Sequence, residues 1–472
     1  MNTLIKKFTN YLQKFRYKIT ILIVSITLVV HLEKRPLNHE GGQPSAKSIS
    51  EKIDWWGSFL PLITPTNNFM YESLLITLLS VSIFLFGILL IIKNVYMKDL
   101  SLIVFFVLIF IGFNFVAANS RDSFLLSFAV LSLGIMQSYK ANKSRILIIF
   151  LFISLCLMVS FKYLTSISIA LILIYFLLEN YDLKLKIRIF TACVTTAIIV
   201  SVGVTLDQSL GKLINLEKSF PEQQPMLQDL AMFYCWSDDP STRSRALESM
   251  QTILVTDNPS DVCLTLRPNS WTYLVSGSNN FGNKVAAPLR KIDNSNPKDL
   301  ILLRDGWINT IFRDPVDYMQ FKLIAATQMI TVGNPFNYPL NFTTNHVDGD
   351  KSQNLKSYFS TKIFELSEVL WKASNWILNL VGHTYLFSII FLFFILFIFY
   401  VKARKENYQE HLLTIIVFFN IVNVVLLSIG FVSDEARYVF PIVFITYMIL
   451  LLQKENYKTI EKNNQQIEFR PN

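Results

Sequence analysis

The sequence predicts an all-α polytopic membrane protein with about ten transmembrane helices and a helical extracytoplasmic domain. Hydrophobic residues make up 52% of the 472 residues, whereas charged residues make up only 16%. A soluble domain of ordinary composition carries about 25% charged residues, so this chain has too little polar surface to cover a soluble body. The composition therefore excludes a soluble enzyme, a disordered chain and a collagen-like or disulfide-dense scaffold.

Ten apolar segments approach the length of about 20 residues that a helix needs to cross a bilayer. They are Ile19–Leu32, Ser73–Ile92, Ser101–Ala118, Ser123–Ser138, Ile146–Phe161, Leu164–Leu178, Ile189–Leu206, His383–Tyr400, Leu412–Val432 and Tyr438–Leu452. No Asp, Glu, Lys or Arg lies near the centre of any of them. Proton pumps and voltage sensors need ionisable groups at that depth. The absence of such groups from the predicted spans therefore argues against a transporter.

The basic residues alternate between the two ends of these segments. They precede the first span, follow the last and otherwise occupy every second connection, as in Lys93 and Lys98, Lys140, Lys143 and Arg145, and Lys402, Arg404 and Lys405. Lys and Arg mark cytoplasmic loops, so both termini are predicted to be cytoplasmic. The net charge of +9 is therefore mainly an orientation signal. A basic chain would otherwise suggest nucleic acid as a partner, and that partner is excluded here.

The predicted spans divide the chain into four parts. Residues 1–206 hold seven spans and an outer loop at 33–72, and residues 207–382 form an extracytoplasmic helical domain. Residues 383–453 hold three further spans, and residues 454–472 form a cytoplasmic tail. Within the outer domain, Asp314-Pro315 is typical of a helix start, and Ser241–Val255 and Tyr358–Leu380 have amphipathic helical patterns.

Acidic and basic residues occur together in three loops predicted on the outer face. The first loop carries Glu33, Glu40 and Asp54 with Trp55 and Trp56, the second carries Arg121 and Asp122, and the third carries Asp434, Glu435, Arg437 and Tyr438. Charges at the ends of membrane spans are ordinary. Pairs of an acidic and a basic residue are less ordinary on a face that otherwise avoids basic residues, and they suit a phosphate leaving group and a hydroxyl nucleophile. Arg clamps phosphate oxygens, and a carboxylate accepts the proton of the attacking hydroxyl.

Two of the four cysteines, Cys235 and Cys263, fall in the predicted outer domain. An oxidising compartment allows them to form a disulfide, and the alternative is two buried free thiols. No cluster with metal-ligand spacing is visible, so no cofactor or metal is predicted and dependence on a divalent metal stays undetermined.

The element Arg437-Tyr438-Val439-Phe440-Pro441 resembles the RY-x-x-P element near the end of GT-C type membrane glycosyltransferases. The loop with Arg121-Asp122 resembles their second outer loop. Trp307-Ile308 followed by Pro315-Val316-Asp317-Tyr318 resembles a helix pair found outside the membrane in several bacterial members, and the predicted architecture also agrees. Serotype-converting O-antigen glucosyltransferases are a subgroup with similar length and a similar outer-loop plan.

The resemblance implies transfer of a sugar, such as glucose or another hexose, from polyprenyl (undecaprenyl) phosphate to a lipid-linked or surface glycan, with inversion, at the periplasmic face of the bacterial inner membrane. It implies Glu40 as the base, with Glu33 and Asp54 as alternatives, and Arg437 and Arg121 at the donor phosphate. The sugar-binding candidates are Asp122, Asp434, Glu435, Tyr438, Trp55 and Trp56. For the two tryptophans, anchoring in the membrane interface is the favoured alternative. A flippase and a donor-lipid synthase are the implied protein partners, alongside membrane lipid.

Two other functions remain open from the sequence. One is an O-antigen or capsule polymerase or a ligase, because the outer domain is rich in arginines that can hold a lipid pyrophosphate. These arginines are Arg243, Arg245, Arg267, Arg290, Arg304 and Arg313. The other is a flippase for lipid-linked sugars or another transporter.

Overall fold

A computed structural model shows a helical protein, with no strand among the residues it describes. These are residues 8, 10–34, 69–97, 99–117, 121–161, 166–181, 185–214, 220, 222–267, 274–275, 286–292, 296–332, 441, 444–449 and 451–452. The first seven helices are α1 (Arg16–Lys34), α2 (Phe69–Asn94), α3 (Asp99–Val116), α4 (Arg121–Asn142), α5 (Arg145–Phe161), α6 (Ser166–Asn180) and α7 (Leu185–Leu213).

Three of these helices contain stretches long and apolar enough to cross a membrane, which is typical of a membrane protein. The stretches are Leu75–Asn94 in α2, Ser123–Asn142 in α4 and Lys186–Leu213 in α7. Shorter apolar stretches occur in α3, α5 and α6. The predicted spans His383–Tyr400 and Leu412–Val432 lie outside the described residues, as does the predicted helix Tyr358–Leu380, and the last span is described only in part.

Helix α4 lies at the centre of the bundle, packed against α2, α3, α5 and α6. It is the most buried of the three long helices and also carries a series of buried polar side chains. Ser132 Oγ lies 2.9 Å from Ser154 Oγ of α5, and Gln137 Nε2 donates to the Tyr175 hydroxyl of α6 at 3.0 Å. Such bonds join helices in an apolar phase, where the hydrophobic effect does not drive helix association.

Glycines allow α2 and α4 to approach backbone to backbone. A Cβ on Gly87 would lie 2.6 Å from the Leu131 backbone nitrogen, and a Cβ on Gly134 would lie 2.5 Å from the Gly87 carbonyl oxygen. Real Cβ atoms do not approach backbone that closely, so only glycine fits this crossing. Small residues serve the same purpose at other helix crossings in membranes.

Gly87→Leu is expected to destabilise the bundle by about 1–3 kcal/mol or more. This is the usual cost of forcing extra atoms into a well-packed core. The obstacle is the α4 backbone, which cannot move aside as a side chain can. The neighbouring Phe86 is 56% exposed, so Phe86→Leu is the matched control. Thermal unfolding of the purified protein in detergent measures both variants, and equal midpoints would contradict this account of the α2–α4 contact.

The second unit of the described chain is a helical domain with its own apolar core. Its helices are α8 (Gln223–Trp236), α9 (Pro240–Met250), α10 (Asp261–Thr265), α11 (Pro297–Arg313) and α12 (Pro315–Val332). Helix α8 is central and contacts the other four. Leu227, Leu230 and Phe233 of α8 are fully buried, and they pack with residues of the surrounding helices.

Two predicted helix starts in this domain, at Pro315 and near Ser241, are confirmed, whereas the end predicted at Val255 is not. Pro315 is the first residue of α12, as the Asp314-Pro315 pattern predicts. The pattern Ser241–Val255 predicts one continuous helix, but α9 ends at Met250 and a 3-10 turn, Gln251–Ile253, follows. The chain then becomes extended because Leu254 forms an isolated antiparallel bridge with Leu289.

This domain, which we call the outer domain after its predicted location, contains the disulfide between Cys235 and Cys263, with Cα atoms 5.4 Å apart. It joins the end of α8 to α10 across 28 residues of sequence. A crosslink of this span stabilises a domain mainly by restricting its unfolded chain.

Cys235→Ala with Cys263→Ala is expected to lower the free energy of unfolding of the outer domain by about 3–4 kcal/mol, because the unfolded chain regains its freedom. Cys193→Ser is the control, since Cys193 is an exposed free thiol. The full chain is unfolded in detergent, and proteolysis of the outer domain monitors its unfolding. A double variant as resistant as the control would show that the crosslink adds no stability.

Candidate functional site at one end of the helix bundle

Side-chain contacts bring the basic connections together at one end of the bundle. Asn94 Nδ2 at the end of α2 donates to Ser138 Oγ of α4 at 2.9 Å. Just beyond α4, Lys143 Nζ donates to Asn180 Oδ1 at the end of α6 at 3.0 Å. We call this the basic end, defined by Lys93, Lys140, Lys143 and Arg145.

The start of α1 belongs to the basic end as well. The Gln13 side-chain amide, just before α1, donates to the Met97 carbonyl oxygen in the connection between α2 and α3 at 2.9 Å. Helix α1 also packs against α2 and α3. Its last turn, which contains Glu33, therefore lies toward the opposite end of the bundle.

The opposite end, where α3 ends at Val116 and α4 begins at Arg121, is held by buried serines. We call it the Arg121 end. Ser80 Oγ of α2 donates to the Val116 carbonyl oxygen at 2.8 Å, and Ser127 Oγ of α4 donates to the Ser80 carbonyl oxygen at 2.8 Å. Ser123 Oγ, in the first turn of α4, donates to the Phe115 carbonyl oxygen at 3.1 Å. These bonds fix the start of α4 against the end of α3.

Helix α5 and the C-terminal segment approach the same end. The ring of Phe161, the last residue of α5, stacks on Phe124 of α4 with centroids 4.7 Å apart. Phe444 lies 5.9 Å from Phe84 of α2, centroid to centroid, and a Cβ on Gly112 of α3 would lie 2.9 Å from the Phe444 ring. Gly112 is one helical turn before Val116, so Phe444 packs near the Arg121 end.

The described residues include only part of the predicted site. Arg121 and Asp122 are the first two residues of α4, and Glu33 is in the last turn of α1. The other predicted site residues lie outside the described residues, and they are Glu40, Asp54, Trp55, Trp56, Asp434, Glu435, Arg437 and Tyr438. The structure thus places Arg121, Asp122 and Glu33 at helix ends.

The start of α4 has chemistry suited to an anion. The first backbone N–H groups of a helix have no partner within the helix, and the helix dipole places partial positive charge there. A guanidinium in the first turn adds a planar set of donors that matches phosphate oxygens. Arg121 at this position therefore combines a fixed helix start with the side chain best suited to hold a phosphate group.

A second polar cluster lies inside the outer domain and was not predicted from the sequence. Lys322 Nζ of α12 lies 2.7 Å from Asp229 Oδ1 of α8, and the two side chains are 2% and 1% exposed. Trp307 Nε1 of α11 donates to Asp229 Oδ2 at 2.9 Å, and Lys322 Nζ lies 5.5 Å from the centre of the Tyr318 ring. The cluster joins α8, α11 and α12.

Burial controls the ionisation of this cluster. Desolvation raises the pKa of Asp229 above its ordinary value, while the Lys322 ammonium and the Trp307 N–H oppose that increase. Desolvation also raises the pKa of Tyr318, and the nearby negative charge of Asp229 raises it further. A buried ion pair stabilises a particular packing only while both partners are present, because removal of one leaves the other charge buried without compensation.

A more exposed network caps the neighbouring helix start. The Asp239 carboxylate accepts from the Ser241 and Thr242 hydroxyls and also from their backbone N–H groups; together these bonds lower the pKa of Asp239 to about 2. Arg245 of α9 forms an ion pair with Asp314, the residue before α12, at 2.7 Å. These contacts hold α9 against the corner between α11 and α12.

No group of three or more His, Cys, Asp or Glu that could hold a metal ion occurs among the residues the structure describes. No protein-family model, no curated protein and no solved structure matches this chain.

Proposed function

We propose that this chain is an integral membrane glycosyltransferase of the GT-C type. It transfers a sugar from polyprenyl phosphate to a lipid-linked or surface polysaccharide such as O-antigen, at the periplasmic face of the bacterial inner membrane. The proposal includes ten spans with both termini in the cytoplasm. It is supported by the sequence patterns of the outer loops and by the packing at the Arg121 end.

The observation that carries the proposal is the packing of Phe444 near the Arg121 end. Only one turn of α3 follows Gly112 in the direction of Val116. Leu451 and Leu452, seven and eight residues after Phe444, are nevertheless still buried in the bundle core. We infer that the segment runs from Phe444 toward the basic end. The proposal places the preceding residues, including Arg437, at the Arg121 end.

Chain length limits how far Arg437 can lie from this end. Six residues lie between Arg437 and Phe444, so the seven Cα–Cα steps that join them span at most about 25 Å even when fully extended. Arg121 is two residues before Ser123, which bonds to the end of α3. The two arginines that sequence reasoning assigned to one phosphate are thus compatible with one site.

The basic end supports the proposed orientation of the chain in the membrane. Lysines and arginines from several connections gather there, and such residues favour the cytoplasmic side. The Arg121 end then faces the periplasm, where polyprenyl-linked donors are used in this class. The outer domain follows α7, whose last residue, Leu213, is at the end opposite the basic Lys186.

The proposed reaction is a single displacement at the anomeric carbon. Glu40, or alternatively Glu33 or Asp54, takes the proton from an acceptor hydroxyl, and that oxygen attacks the anomeric carbon. The bond from that carbon to the phosphate oxygen breaks, and the polyprenyl phosphate leaves with the electron pair. Arg121 and Arg437 stabilise the charge that develops on the phosphate oxygens. Asp122, Asp434, Glu435, Tyr438, Trp55 and Trp56 are the proposed sugar contacts.

The arginines of the outer domain argue against the polymerase alternative. Arg290 lies 2.5 Å from Asp299, Arg245 lies 2.7 Å from Asp314, and Arg304 lies 3.4 Å from Asp305. A polymerase or ligase would need such side chains for a lipid pyrophosphate. These three already have carboxylate partners within the domain, which favours a monophosphate donor held at the membrane.

The purified full chain in detergent, supplied with a radiolabelled sugar donor and a lipid-linked glycan, tests this function. We expect label to move from a polyprenyl monophosphate sugar to the acceptor. Consumption of a pyrophosphate-linked oligosaccharide alone would support the polymerase instead. Absence of any transfer, together with donor movement across sealed vesicles, would support a flippase, because transport needs two compartments and transfer does not.

A further inference from the structure

Helices α11 and α12 expose large apolar side chains on the faces turned away from the domain core. Phe312 is 81% exposed and Val316 is 75% exposed, on either side of the corner at Asp314-Pro315. Ile301 and Ile308 lie on the same face of α11 as Phe312, and Met319 follows Val316 by one turn; all three are exposed. We call these five residues the apolar ridge.

The apolar ridge is not the margin of the domain core. The opposite face of α11 is occupied by Leu303 and Thr310, which are buried, and that of α12 by Phe321 and Ala325. Both helices are therefore apolar on two sides. A group of exposed apolar side chains of this kind marks an interaction site, because leaving a phenylalanine and several aliphatic side chains in water is unfavourable.

The nearest apolar phase is the bilayer itself. Helix α7, long and apolar enough to span, ends at Leu213, and α8 begins at Gln223. Nine residues separate the two helices, which reach at most about 33 Å when fully extended. The outer domain is therefore tethered close to the membrane surface, whatever reaction the protein performs.

Basic residues beside the apolar ridge suit anionic lipid headgroups. Lys298 flanks the ridge on α11, and Arg313 lies at the corner; both are exposed. Arg304 and Asp305 also lie on this side, but they are 3.4 Å apart and offset each other's charge. Apolar side chains bordered by Lys and Arg are typical of helices that lie in the interface of a membrane.

We propose that the α11–α12 hairpin docks on the outer surface of the membrane, with Phe312 and Val316 entering the boundary between headgroups and acyl chains. The bilayer is preferred over a protein partner because of the short tether and the flanking cations. Docking of this kind fixes the orientation of the outer domain over the Arg121 end.

Site-specific photocrosslinking of the full chain tests the proposal. p-Benzoylphenylalanine is introduced at position 312 and, in a separate protein, at position 316. The control position is 264, because Leu264 is an apolar residue of α10 with 60% exposure. Each protein is reconstituted into vesicles of phosphatidylglycerol and phosphatidylethanolamine, irradiated and analysed by mass spectrometry for lipid adducts. Gel electrophoresis detects crosslinked dimers, and peptide mapping detects crosslinks within one chain.

We expect lipid adducts at positions 312 and 316 with a yield about tenfold or more above that at position 264, since burying such a side chain shifts the equilibrium by at least that factor. A dimer crosslink in place of the lipid adduct would overturn the proposal in favour of a second copy. A crosslink to another part of the same chain would assign the ridge to an internal contact. Equal yields at all three positions, or no adduct at 312, would also overturn it.

Discussion

Arg121→Ala and Arg437→Ala are each expected to lower the rate of sugar transfer by about 10²–10³-fold, because each removes a donor that stabilises charge developing on the leaving phosphate. Arg121→Lys restores only part of the activity, since an ammonium keeps the charge but lacks the planar pair of donors. Glu40→Gln is expected to lower the rate by about 10²–10⁴-fold through loss of the base. Initial rates in detergent with the monophosphate-linked donor measure all four variants.

Arg145→Ala is the matched control for these variants, because Arg145 begins α5 at the basic end. It removes one positive charge from the bundle without touching the Arg121 end, so its rate should equal that of the unchanged protein. Each variant is first compared by membrane yield and melting temperature. Full activity in Arg121→Ala and Arg437→Ala proteins would remove these residues from the site, and an equal loss in Arg145→Ala would point to general damage.

Lys322→Ala is expected to destabilise the outer domain by about 3–5 kcal/mol, because it leaves the Asp229 carboxylate buried without its partner. Asp229→Ala should cost a similar amount for the opposite charge. The double variant Asp229→Leu with Lys322→Met should recover most of the loss, since a buried ion pair can be replaced by apolar side chains at little cost. Thermal unfolding of the full chain, followed by proteolysis of the outer domain, gives the three values.

The pair formed by Arg245 and Asp314 is the control for the buried cluster. Its side chains are 27% and 25% exposed, so solvent screens the attraction and allows each charge to be hydrated after the other is removed. Arg245→Ala is therefore expected to cost clearly less than Lys322→Ala. If the two costs were equal, or if the double variant were as unstable as the single ones, burial would not explain the importance of Asp229 and Lys322.

The helices were predictable because their signals are local. The apolar segment Ser123–Ser138 predicted α4, and the Asp314-Pro315 pair predicted the start of α12 at Pro315. The end of α7 was less predictable: the predicted span stops at Leu206, whereas the helix continues to Leu213. Hydropathy finds where the apolar stretch ends, and a helix can continue beyond it as long as its backbone bonds are satisfied.

Long-range contacts had weaker signals. Asp229 and Lys322 are far apart in sequence, and no spacing rule connects them. The one available hint was Lys322 itself, which directly follows Phe321 on the apolar side of a helical pattern, where a charge needs a buried partner. The pairing of Cys235 with Cys263 was also left open by the sequence, because compartment and distance decide it. The predicted roles of Glu40 and Arg437 remain predictions.

The central claim is that a polyprenyl monophosphate binds at the Arg121 end of the bundle, and photolabelling tests it most directly. A polyprenyl monophosphate analogue with a photoreactive group beside the phosphate is irradiated with the full chain in detergent, and labelled peptides are mapped. The account predicts label in the peptides that contain Arg121 and Arg437, reduced by excess monophosphate-linked sugar more than by a pyrophosphate-linked oligosaccharide. Label confined to peptides of the basic end, such as the one containing Lys143 and Arg145, or label that the monophosphate-linked sugar does not displace, would contradict it.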